Sequence, residues 1–113
     1  MANFKEKTEK EKLKDYYKCK YNYLHWLGNK KKIEQSEITE NIRKYLDHEF
    51  IGKNFNVRIV DKDTIQVVCQ EFAIKGKVWA DISMFQHYEK KNGKWGPSVF
   101  NECFGGIKQL IIK

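Results

Sequence analysis

The sequence predicts an α+β protein: two N-terminal helices followed by a mostly antiparallel β-sheet of three to five strands. Three observations carry this. Apolar residues recur at helical spacing as far as residue 50, and from Phe55 the period changes to two. Glycine-containing turn signals then punctuate the second half, at Lys75-Gly76 and Asn92-Gly93. At 113 residues the chain is expected to form one domain, with residues 1–7 as a frayed lead-in.

The first helix is expected to begin at Thr8, whose hydroxyl would cap it, with Glu11 completing a capping box. No Gly or Pro interrupts the chain from there to Leu27, and Gly28-Asn29 supplies the stop. Leu13, Tyr16, Tyr17, Leu24 and Leu27 would form its apolar face. Ser36 is the cap expected for the second helix. There Ile38, Ile42, Tyr45, Leu46 and Phe50 recur at amphipathic spacing, and Gly52 ends it. Residues 55–72 read as a hairpin, with Phe55, Val57 and Ile59 alternating and Asp61-Lys62-Asp63 turning the chain. A third strand is expected from Lys77 to Glu89, with Val78, Ala80, Ile82 and Met84 facing the core. Lys90 to Gly96 reads as a loop around the Asn92-Gly93 turn. Residues 98–111 fit a helix by spacing, but Gly105-Gly106 and the β-branched end favour two strands broken at the glycines.

Composition narrows the function classes. Hydrophobic residues at 41% and aromatic residues at 14% are enough for a core, which excludes a disordered tail. No apolar run approaches the ~20 residues of a membrane helix, and the N-terminus is charged, so no membrane is expected as partner. Cys19, Cys69 and Cys103 are odd in number and lie far apart, as reduced cytoplasmic thiols would. With His25, His48 and His87 they form no metal-binding spacing, and no phosphate-cradling glycine motif occurs, so no metal, cofactor or catalytic residue is assigned.

The formal net charge of +7 favours acidic partners, nucleic acid first among them. Twenty lysines stand against two arginines, so the charge is built from point charges rather than the planar forks that read bases. Residue types with AT-rich codons dominate, which points to an AT-rich bacterial or mobile-element genome and makes part of the lysine excess mutational drift. The charge is concentrated in residues 1–35, with ten lysines and five acids, and again after residue 54.

The candidate binding residues combine charge with stacking surface. Lys30, Lys31, Lys32, Arg58, Lys90, Lys91 and Lys94 would contact phosphates, and Trp79, Phe85 or Trp95 would stack on bases or anchor a protein partner. Trp79 and Phe85 are expected on the second face of the third strand, together with Asp81, Ser83 and His87; that face is either an open interaction surface or is crossed by the first helix, which would make both aromatics core. Trp95 is expected at a loop tip, either as a partner contact or folded back onto the sheet edge. Asp81 and His87 would stand ~20 Å apart along that strand, too far for a catalytic dyad.

In element order alone, two helices and an antiparallel sheet resemble the NTF2-like and cystatin-like wrap of a sheet around a helix. That resemblance implies a pocket, with Asp81 or His87 inside it. With a C-terminal helix, residues 36–113 would resemble the α-β-β-β-α order of a double-stranded-RNA-binding domain. Pro97-Ser98-Val99-Phe100 stands where that family carries a lysine-rich helix start. The expected function is a small basic non-enzymatic binding protein contacting DNA or RNA through lysines. The alternatives are a phage or mobile-element inhibitor or adaptor that binds a protein or nucleoprotein complex, in the manner of an anti-CRISPR, and a small NTF2-like pocket protein. Exposed aromatics would also suit a homodimer face.

Overall fold

The structure, a computed structural model, describes residues 8–87, 89–91 and 94–113. The expected lead-in at 1–7 and the Asn92-Gly93 turn lie outside the described residues. The α+β class holds, while the arrangement of elements differs from the expectation in the second half of the chain.

Helix α1 spans Glu9–Lys20, and Thr8 caps it by accepting from Glu11 N–H at 3.1 Å. Glu9 and Glu11 in the first turn and Lys18 and Lys20 in the last suit the helix dipole. The helix ends seven residues before the expected Leu27, because the chain beyond it is claimed by tertiary hydrogen bonds. Leu27 N–H donates to Cys103 O at 2.8 Å, and His25 N–H donates to Asn41 Oδ1 at 2.7 Å. Leu24 and Leu27 are buried as expected, but from a turn rather than from a helix face.

Helix α2 spans Gln35–Glu49. Its cap is Glu34 rather than Ser36, with Glu37 Oε1 accepting from Glu34 N–H at 3.3 Å. The predicted face of Ile38, Ile42, Tyr45, Leu46 and Phe50 is buried. Burying side chains such as Ile42 and Leu46 contributes about 1.5–3 kcal/mol each. Gly52, at φ +80°, turns the chain towards the sheet in a conformation glycine adopts freely.

Strands β1, Phe55–Asp61, and β2, Thr64–Cys69, form the expected antiparallel hairpin, with Val57 opposite Val67 and Ile59 opposite Ile65. Asp63 N–H donates to Asp61 Oδ1 at 2.8 Å and closes the turn. β2 stops at Cys69, short of the expected Phe72, because residues 72–74 form a 3-10 turn.

The expected third strand is instead helix α3, Lys75–Ile82, followed by a 3-10 turn over Ser83–Phe85. Val78 and Ile82 satisfy both periods. Phe85 decides between them, because Val78, Ile82 and Phe85 at i, i+4 and i+7 are all fully buried while Ala80 is exposed. Residues 89–91 and 94–96 form the short antiparallel pair β3 and β4, where Glu89 was expected to end the third strand and 90–96 to be a loop. The strand expected over 99–104 is helix α4, Val99–Phe104. Ser98 caps it by accepting from Asn101 N–H at 3.1 Å, and Asn101 Oδ1 accepts back from Ser98 N–H at 3.0 Å. It ends at Gly105, at φ +94°.

Strand β5, Gln109–Ile112, falls where a strand was expected but pairs parallel to β2, with Ile65 beside Leu110 and Val67 beside Ile112. The main sheet is therefore mixed, in the order β1-β2-β5, with β5 at one edge. A parallel neighbour requires a long crossover, and α3 and α4 supply it. The core lies between α2, α3, α4 and the sheet face carrying Val57, Ile65, Val67 and Leu110. No curved antiparallel sheet wraps a helix among the described residues, and helix α3 stands where the α-β-β-β-α order needs its third strand, so neither resemblance in element order survives.

Candidate functional site

The feature that sequence analysis missed is an apolar groove of about 590 Å³ along the outer edge of β5. Phe72, Lys75, Gly76 and Trp79 line one side, and Leu110, Ile111 and Ile112 the other. Its origin is local. The 3-10 turn after β2 throws Phe72 outwards, where it is 86% exposed. Glu71 anchors that turn, accepting from Ile74 N–H through its carbonyl and pairing with Lys53 Nζ at 3.0 Å. Val78 points into the core, so Trp79, about 100° further round the helix, emerges at its shoulder, 39% exposed. Gly76 carries no side chain to fill the space; a Cβ placed there would meet nothing within 4 Å. Lys75 Nζ lies 5.6 Å from the centre of the Phe72 ring, a cation–π contact at the rim.

The edge of β5 beside this groove is only partly closed. Gln109 N–H donates to Asp63 O and Lys113 N–H to Val67 O, both at 2.9 Å, so these residues face β2. The intervening Leu110 and Ile112 turn their backbone groups away from it. Leu110 N–H is met by Gln86 Oε1 at 2.9 Å, whereas Ile112 has no backbone partner on its outer side among the described residues.

The residues expected to bind do not converge. Phe85 is fully buried, its ring centre 5.0 Å from that of Phe100, so it belongs to the core and presents no stacking surface. Trp79 reaches the surface, but from a helix, and the strand face expected to hold it with Asp81, Ser83 and His87 does not exist. Lys30 pairs with Glu37 at 2.5 Å and Lys32 with Glu34 at 3.8 Å, while Lys31 is exposed with no ion pair among the described residues. The Arg58 guanidinium donates to Gln66 Oε1 at 3.0 and 3.1 Å, in the amide orientation that satisfies both groups. The backbones of Lys90 and Trp95 lie opposite each other in the β3–β4 pair, which places Trp95 on a strand rather than at a loop tip. The side chains of Lys90, Lys91, Lys94 and Trp95 lie outside the described residues.

Groups able to do chemistry are dispersed or quenched. Burial pushes the Cys103 thiol above its ordinary value, which disfavours the thiolate a nucleophile needs. Cys69 Sγ donates to Glu71 O at 3.2 Å. Asp81 pairs with Lys77 at 3.1 Å. His87 lines a polar recess of about 310 Å³ with Glu34, Lys62, Asp63 and Lys108, and burial holds its imidazole below the usual histidine value. Among the described residues no three His, Cys, Asp or Glu side chains stand together as a metal would require, and no helix is long and apolar enough to cross a membrane.

No protein-family model matches the chain, and neither does any curated protein or solved structure.

Nothing in the sequence marks Phe72, Lys75 or the isoleucines of β5 as site residues. The one available signal is Phe72-Ala73-Ile74, an apolar cluster just before Lys75-Gly76, of which the expected hairpin took in Phe72 alone.

Proposed function

We propose that this chain is a non-enzymatic binding protein that acts as an adaptor or inhibitor by engaging another protein at the groove between α3 and β5. One observation carries the reading: Phe72 and Trp79 are exposed together at the wall of an apolar groove, whereas the other exposed large apolar side chains among the described residues, Leu13, Tyr16, Ile51, Ile59 and Val60, do not line it. Exposed aromatics around a concave apolar surface are typical anchors of protein interfaces. The test is a displayed peptide library selected against the intact protein. Selected peptides should lose about tenfold or more in affinity on Trp79→Ala or Phe72→Ala. Peptides indifferent to both substitutions would exclude the groove.

A second reading, contact with DNA or RNA through phosphates, is favoured by the net charge of +7 and by Lys31, exposed between Lys30 and Lys32 with no ion pair among the described residues. Fluorescence anisotropy with labelled single- and double-stranded DNA and RNA over a salt series tests it. Binding that weakens steeply with salt, and more gently in Lys31→Glu, supports this reading. A flat response at low salt removes it.

A further inference from the structure

We infer that the groove takes a short extended segment of an acidic protein partner, added as a strand to the outer edge of β5. Its apolar side chains would lie beside Trp79 and Phe72, and its carboxylates beside Lys75 and Lys113. The inference rests on the groove being a protein-docking site and goes further by naming the shape and charge of what docks.

The backbone supports strand addition. Ile112 turns its N–H and C=O outwards, and the Leu110 carbonyl faces the same way. The Gln86 side chain already holds Leu110 N–H, so pairing can begin only beyond that point, which sets the register of the incoming strand. An added strand lies about 4.7–4.9 Å from β5, and its alternate side chains point to one face, here the groove. Main-chain hydrogen bonds would supply affinity, and the apolar walls would select the side chains.

Charge selects among occupants. Lys10, Lys12, Lys30, Lys32, Lys53, Lys77 and Lys108 each pair with a carboxylate of the chain. Lys75, at the groove wall, and Lys113, directly after β5, have no such partner among the described residues; Lys31 has none either, and what sets Lys75 and Lys113 apart is their place at or next to the elements that form the groove. Lysines beside an open edge discourage pairing with a second basic copy. The same two charges complement an acidic strand, and a net charge of +7 steers one towards this chain from a distance.

The experiment is an amide NMR titration of the full chain with three synthetic peptides. The first alternates valine and glutamate, the second alternates valine and lysine, and the third is the valine–glutamate peptide N-methylated at alternate backbone amides. The expected result is saturable shifts of the Ile112 amide and the Trp79 indole N–H with the first peptide only, and slower hydrogen exchange at Ile112. The double variant Lys75→Glu, Lys113→Glu should weaken that binding about tenfold. Equal binding of the lysine or N-methylated peptide overturns the inference. So do concentration-dependent shifts at the same positions without peptide, which would make a second copy the occupant. If library-selected peptides move the Trp79 indole but leave the Ile112 amide unchanged, strand addition fails while the groove stands. If no peptide moves Trp79, the docking reading itself fails.

Discussion

Asn41 of α2 exchanges two hydrogen bonds with the backbone of His25: His25 N–H donates to Asn41 Oδ1 at 2.7 Å, and Asn41 Nδ2 donates to His25 O at 2.9 Å. The same amide nitrogen donates to Phe104 O at 3.0 Å, and the side chain is fully buried. One side chain therefore ties the segment after α1 and the end of α4 to α2. Asn41→Ala strips a partner from three buried or half-buried backbone groups, and each group left unsatisfied costs about 1–3 kcal/mol. His25 lies at the surface, where water can take up part of its lost bonding, so the expected loss is roughly 2–4 kcal/mol in urea unfolding, with a lower midpoint and an unchanged slope. An unchanged midpoint would mean that water replaces the amide at no cost.

Two glycines should respond in opposite directions. Gly105 sits at φ +94°, and a Cβ there would come within 2.6 Å of Ile38 Cγ1, so Gly105→Ala is strained in the backbone and crowded in the core. A loss above about 1 kcal/mol is expected. Gly76 lies in α3 with open space around its Cα, so Gly76→Ala should stabilise the fold by up to about 1 kcal/mol. Thermal unfolding of both variants checks the pair, and loss of stability in Gly76→Ala would contradict the helical assignment of this segment.

Two phenylalanines separate core from surface. Phe85 is fully buried and Phe72 is 86% exposed. Phe85→Ala should cost about 3–5 kcal/mol through the cavity it leaves. Phe72→Ser should change stability by no more than about 0.5 kcal/mol. Chemical denaturation of the two variants measures both.

Acidification should destabilise the protein in two stages. Burial lowers the folded-state pKa of His87 from its ordinary 6.5, with Lys108 acting in the same direction and the Gly106 backbone opposing. Above 6.5 the imidazole is neutral in both states and contributes nothing to pH dependence. As pH falls through 6.5 the unfolded chain takes up the proton first, so stability drops until the folded-state value is reached. The hydrogen bond from Lys30 lowers the Glu37 carboxyl from 4.5. Its stabilisation is complete above 4.5 and is lost as pH falls towards the folded-state value. Unfolding free energy measured from pH 8 to about 4 should therefore decline first below 6.5, and His87→Gln should remove that first decline. A slope unchanged in His87→Gln would assign the proton uptake elsewhere.

Helix α2 and the β1–β2 hairpin were legible because a single period governs each, and neither depends on distant partners for its identity. Residues 75–85 were not, because Val78 and Ile82 satisfy periods of two and of 3.6 alike. In the structure the segment is helical, with Phe85 packed against Phe100. Residues 98–104 offered both readings as well, and the Ser98–Asn101 reciprocal cap settled them as helix. Of the candidate binding residues, Trp79 is exposed, Phe85 is core, and Lys30 and Lys32 are engaged by carboxylates of their own chain. Whether a charge is free is a property of its neighbours in space, which spacing along the chain does not contain.

By itself the sequence determined the α+β class, the amphipathic second helix, the first hairpin and a strong positive charge, all of which follow from local periodicity and composition. Only the tertiary structure decided that β5 joins β2 in parallel, that Phe72 points outwards while Phe85 points in, and that an open strand edge faces an apolar groove. Those features arise where residues more than thirty positions apart meet, as Thr64 meets Gln109, and long-range pairing leaves no local period to read.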